Sequence, residues 1–147
     1  MTTVPTPGFH PVAHPALVRG LVATARVLLG LLFLVTGLNG FLNFLPQPAN
    51  IPERAAEFSG ALMKSGYMFQ MVMITQLIFA VLLLLNRFVP FALVLIAPVI
   101  VNIIAFHAFL YPAGAAMAIV AVILYALLLW IYRDSFRSLF IARVRPV

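Results

Sequence analysis

The 147-residue chain has no cysteine, three acidic residues and one tryptophan. Without thiols it holds no disulfide, thiol relay, iron–sulfur ligation or thiolate zinc site. Charge is scarce, with Asp, Glu, Lys and Arg at 8% of residues. None of them falls deep in an apolar run, so a proton-driven pump or ion carrier lacks its usual charged relay. Also missing are a Ser/His/Asp set, a glycine-rich phosphate loop and paired carboxylates other than Glu53 and Glu57. Those two lie one helical turn apart beside Arg54 and suit a solvated face. The cations are scattered along the edges of apolar runs, so the pI of 10.9 does not point to nucleic acid.

Hydrocarbon is abundant. At 65% apolar residues and a mean hydropathy of +1.15, too little polar surface exists to coat a water-soluble globule, so the chain reads as an integral membrane protein. A spanning helix needs about 20 apolar residues. Four runs qualify, at about 27–45, 67–85, 91–110 and 115–132. The expected fold is an all-α membrane protein, an antiparallel bundle of four transmembrane helices. Residues 1–25, interrupted by Pro5, Pro7, Pro11 and Pro15, read as a flexible arm, 26–132 as the transmembrane domain and 133–147 as an amphipathic tail. The first run exceeds a signal-peptide core and lacks a small-x-small cleavage site before Pro46, so it reads as a retained span.

Positive residues set the expected orientation. Arg19, Arg26, Arg87, Arg133, Arg137, Arg143 and Arg145 share one side, against Arg54 and Lys64 on the other. The rule that short cytoplasmic loops collect Lys and Arg then places both termini in the cytoplasm. Asn86 to Pro90 and Tyr111 to Gly114 are tight turns, so successive spans are neighbours. Only the first external loop is long. Within it Ala55, Phe58, Ala61 and Leu62 share a face away from Glu53, Glu57 and Lys64, which predicts a short amphipathic helix. In the tail, Phe136, Leu139 and Phe140 oppose Arg133 and Arg137 in the same manner.

With that topology Asn39, Asn43, Gln70, Gln76, Asn102 and His107 all fall in the outer half of the membrane, and the inner half is nearly pure hydrocarbon. Polar side chains in lipid need partners, and these six are available to one another, which predicts a polar cluster or small wet cavity open to the outside. These six are the candidate binding residues; no residue is assigned to catalysis and no metal site is expected. Thr36, Asn39 and Asn43 form a polar stripe on the first span, with Gly30, Gly37 and Gly40 expected on the opposite, close-packing side. Gly114, Ala118, Ala121 and Tyr125 form a small-residue ridge on the fourth. Asn102 and His107 are about 140° apart around an ideal helix and address different neighbours unless a bulge near Pro98 rewinds it. Asn102 serves a ligand or the backbone groups freed by Pro98. His107 is either an interfacial hydrogen-bonding group or a proton carrier, and His10 and His14 lie on the wrong side to share a metal or haem with it.

The segments RVLLGLLFLVTGLNGFLNFLPQP, FSGALMKSGYM, LLLLNRFVPFALVLIAPVIVNIIAFHAF and LLLWIYRDSF resemble the DoxX family of small four-span bacterial membrane proteins, most specifically at Ala97, Pro98, Asn102 and His107. The resemblance implies a four-helix bundle in the bacterial inner membrane. It also implies ties to membrane oxidoreductases, among them quinone-linked thiosulfate oxidoreductases, and to oxidative-stress complexes. Where similar members often carry a basic residue after the Gly-Leu-Asn of the first span, this chain has Gly40, and Gln76 with Phe79 and Ala80 stands where an acid and small residues are common. The functional expectation is a non-catalytic accessory subunit of a larger electron-transfer or energy-conversion complex, with lipid or quinone as its ligand and other membrane subunits as partners. The alternative is a quinone-interacting redox subunit in which His107 and Asn102 bond the quinone carbonyls. An exporter would need a hydrated path through the inner half.

Overall fold

The computed structural model describes residues 16–46, 48 and 50–140, apart from the side chains of Ser138 and Phe140. The proline-rich first part of the arm, with His10 and His14, and the end of the tail, with Arg143 and Arg145, lie outside the described residues. Among those described there are five α-helices and no strand: α1 (Ala16–Leu42), α2 (Glu53–Lys64), α3 (Met68–Leu84), α4 (Val89–Phe109) and α5 (Ala115–Ile131). Short 3-10 segments, Pro112–Gly114 and Arg133–Phe140, precede and follow α5. Three helical segments are long and apolar enough to cross a membrane, and a fourth is gained if α2 and α3, bent by 90° at their junction, are taken together.

Helix ends explain the boundaries. α1 begins well before residue 27, because Arg19 and Arg26 interrupt hydropathy without interrupting a helix. Its 27 residues span about 40 Å at ~1.5 Å per residue, more than the ~30 Å of hydrocarbon. The turn between α3 and α4 carries two left-handed residues, Asn86 at φ 53° and Phe88 at φ 52°. Asparagine tolerates that conformation where phenylalanine rarely does, so the tight reversal is strained at Phe88. Pro90 sits in the first turn of α4, where no intrahelical donor is needed. Arg133–Phe140, the described part of the tail, is a 3-10 helix with Phe136 turned into the core.

Packing centres on α1 against α3. The Cβ that Gly30 lacks would lie 3.0 Å from Leu84 Cγ and 3.4 Å from Leu83 Cβ, and the one that Gly37 lacks 3.0 Å from Leu77 Cδ2 and 3.4 Å from Gln76 Cβ. Gly40 abuts Met73 in the same way. Each step forward along α1 is matched by an equal step back along α3, so the two run antiparallel in a heptad-like register. Phe33 meets Phe79 edge to face at 5.1 Å within that seam. α4 and α5 pack against each other, and each also touches the pair, α4 through α3 and α5 through α1.

Burial is concentrated at one end. The fully buried large side chains, Leu29, Phe33, Phe79, Leu83, Leu93, Ile96 and Leu128, belong to the N-terminal two-thirds of α1, the C-terminal half of α3, the N-terminal half of α4 and the C-terminal half of α5. Toward the α2 end no large side chain is fully buried among the described residues. α2 turns Ala55, Phe58, Ser59 and Leu62 inward and leaves Ala61 exposed, so Ser59 stands on the inner side in place of Ala61. Phe58 reaches Phe106 of α4, ring centres 5.8 Å apart.

The glycine seam makes a stability prediction. Gly37→Leu, which would drive a branched side chain into Leu77 and Gln76, should lower the free energy of unfolding in detergent by about 1–3 kcal/mol. The same change at Gly60, which faces open space, should cost less than half as much.

Candidate functional site

The six polar residues marked by sequence are distributed over separate places, and no two of them are hydrogen-bonded to each other through side chains among the described residues. Gln76 is buried at 6% exposure. Its Oε1 lies 2.9 Å from Thr36 Oγ1, which also lies 3.0 Å from Leu32 O. One hydroxyl proton serves one acceptor at a time, but turning the Gln76 amide lets its NH2 donate to Thr36 while the hydroxyl keeps Leu32. Either arrangement ties α1 to α3.

Thr36 and Gly40 are one turn apart on α1, so the polar stripe and the glycines meet the same neighbour. The expected opposition of a binding face and a packing face is therefore corrected. The i, i+4 relation of Thr36 and Gly40 was readable in the sequence.

Asn39 and Asn43 finish α1. The Asn39 carboxamide oxygen accepts from the Leu45 amide at 2.7 Å, and the Asn43 amide donates to Asn39 O at 2.8 Å. Asn43 takes the left-handed conformation, φ 48°, that follows many helix ends. Gln70 is exposed near the start of α3.

Asn102 and His107 line different grooves. Asn102 is exposed and faces a groove of about 420 Å³ between α2, α3 and α4, beside Phe58, Met71, Thr75 and Pro98. His107 is half-buried and faces an apolar groove of about 430 Å³ between α4 and α5, beside Ile104, Ala115, Ala118 and Ile119. α4 is one uninterrupted helix across Pro98, so the angular separation of an ideal helix persists.

The His107 ring has a defined chemistry. Its Nδ1 lies 2.9 Å from Ile103 O, which can only accept, so Nδ1 carries a proton. In the neutral ring Nε2 is then an acceptor, and only the imidazolium donates there. Phe106 meets the ring edge to face at 5.2 Å, and Tyr111 lies parallel to it at 6.3 Å. Gly114 leaves room for that tyrosine, since a Cβ there would collide with its ring.

A family model for DoxX matches residues 21–109. The chain belongs to the DoxX family. No curated protein and no solved structure matches it. Within this DoxX chain the matched stretch runs from α1 through α4 and takes in all six marked residues, whereas α5 lies beyond it.

On α5 the structure adds a residue whose hydroxyl role was not anticipated. Tyr125 of the small-residue ridge donates its hydroxyl to Leu93 O at 2.9 Å, adjacent to the Val94 carbonyl from which the Pro98 ring removes a helical donor. The readable signal was the phenol itself, since a tyrosine hydroxyl within a span needs an acceptor on a neighbouring helix.

A double-mutant cycle tests the Thr36–Gln76 tie. Thr36→Val and Gln76→Leu should each destabilise the DoxX chain in detergent, with a coupling of about 0.6 kcal/mol and at most ~1.7, as for other interhelical bonds in membranes. Strictly additive losses would remove the bond.

Proposed function

We propose that the chain is a non-catalytic accessory subunit of a larger electron-transfer or energy-conversion complex in the bacterial cytoplasmic membrane. In this reading α1, α3, α4 and α5 are four antiparallel spans with both termini cytoplasmic, and α2 is an amphipathic helix lying over the outer end. The single observation that carries it is the use to which the polar side chains are put: Thr36 and Gln76 join two helices, Asn39 and Asn43 end one, and Tyr125 braces another. Side chains spent on holding a scaffold are not aimed at a common reacting atom. The positive-side bias supports the orientation, and the ties of DoxX proteins to membrane oxidoreductases support the setting.

Purification of the tagged chain from its native membrane in mild detergent should bring down other membrane subunits in fixed ratio. A solitary, monodisperse chain would contradict the reading.

A second reading, a quinone-interacting redox subunit, draws on the groove beside His107. A bound quinone would supply two-electron, two-proton chemistry. The groove offers apolar walls and one acceptor, His107 Nε2, suited to the hydroxyl of the reduced form or, as an imidazolium, to a carbonyl of the oxidised one. Asn102 faces another groove, so a ligand held by both residues is replaced here by one held by His107 alone. Lipid extracts of purified protein should then contain quinone, and His107→Ala should lower its occupancy severalfold, the scale of one lost hydrogen bond, with Asn102→Ala leaving it unchanged. Equal occupancy in wild type and His107→Ala would remove His107 from the site.

A further inference from the structure

A pocket of about 590 Å³ opens where the first turns of α1, the α3–α4 turn and the end of α5 come together. Arg19, Arg26 and Arg133 line it, with Asn86, Trp130 and Asp134. Arg19 and Arg26 are two turns apart and so share one side of α1. Arg133 extends over the Trp130 ring, its guanidinium carbon 4.8 Å from the ring centre.

Countercharge is nearly absent there. Asp134 is engaged by Arg137 at 3.1 Å. The chain's other two acids, Glu53 and Glu57, belong to α2, which joins the opposite ends of α1 and α3. Arg26 is half-buried, and its Nε is shielded from solvent with no hydrogen-bond partner among the described residues. A guanidinium donor turned inward without an acceptor is costly, and an anionic oxygen is the acceptor it fits best.

An apolar trough adjoins this pocket. It has a volume of about 440 Å³, runs between α1 and α5 along Leu28, Leu124 and Leu127, and shares Val18, Val22 and Ile131 with the arginine pocket. A cationic pocket opening onto a hydrocarbon trough matches a molecule with one anionic end and one apolar end. Trp130, in the wall of the arginine pocket, is the residue type that settles at headgroup level.

We propose that the pocket and trough together bind one anionic phospholipid, its phosphate held among Arg19, Arg26 and Arg133 and an acyl chain laid along the α1–α5 trough. The proposal requires only that α1 and α5 cross the bilayer, and it stands apart from the accessory-subunit and quinone readings, whose tests concern other partners and the groove at His107.

Trp130, the only tryptophan of the chain, reports on this site. The full chain is reconstituted in vesicles containing phosphatidylglycerol or phosphatidylcholine brominated on the acyl chains, at equal mole fraction, and Trp130 quenching is compared. Phosphatidylglycerol should quench severalfold more effectively. Arg19→Gln should roughly halve that preference, and Arg19→Gln/Arg26→Gln should bring it to about one, since each cation at a lipid surface adds to the attraction for anionic lipid. Arg19 is exposed, so the single variant keeps the test alive if the double variant does not fold. Arg54→Gln, on α2, should preserve the wild-type preference. Equal quenching by both lipids in the wild type, or a preference undiminished by Arg19→Gln, would overturn the proposal. So would loss of the preference when soluble glycerol phosphate is added, which would assign the pocket to free phosphate esters.

Discussion

Between α1 and α3 there is room for glycine and little else, and the rest of the molecule follows from that close approach. Gly30, Gly37 and Gly40 bring the two helices near enough for Thr36 to reach Gln76 and for Phe33 to meet Phe79. In hydrocarbon, apolar surface gives no reason to leave lipid for another helix, so dispersion contacts and interhelical hydrogen bonds must hold the pair. The seam supplies both in one register. α4 and α5 then complete the structure against it, joined to each other by the hydrogen bond from the Tyr125 hydroxyl to Leu93 O.

The large buried side chains gather away from α2, beside the arginine pocket and the α1–α5 trough; at the α2 end two further grooves open between helices, at Asn102 and at His107. Of the polar side chains near the α2 end, Asn39 helps to stop α1, Thr36 and Gln76 join α1 to α3, and the His107 imidazole rests on the Ile103 carbonyl.

Much of the helical layout was legible because hydropathy and length are local properties. The four apolar runs coincide with α1, α3, α4 and α5 to within a few residues except at the start of α1, where Arg19 and Arg26 mark the edge of lipid and not the end of a helix. A helix also stands in the first long loop, at Glu53–Lys64. The grouping of the polar side chains was not legible. Six amides and imidazoles can pair with one another, with threonine or with backbone, and sequence spacing does not choose among these. Asn39 and Asn43 carried a second signal, their place just before Pro46, that marks a helix end as readily as a ligand site. The pairing of Gln76 with Thr36 depends on the register of two helices separated by a loop and an intervening helix, which no local pattern specifies.

Because the chain contains no cysteine, the seam can be probed by introducing pairs of thiols. Gly37→Cys/Gln76→Cys and Gly30→Cys/Leu83→Cys place Cβ atoms at about 3.4 Å in each case, close to the ~3.5–4.5 Å that a disulfide spans. Mild oxidation in native membranes should close both pairs rapidly and leave Gln76→Cys/Asn102→Cys open. Failure of both seam pairs together with closure of the Gln76–Asn102 pair would show that the polar side chains gather in a common cavity, and would contradict the account.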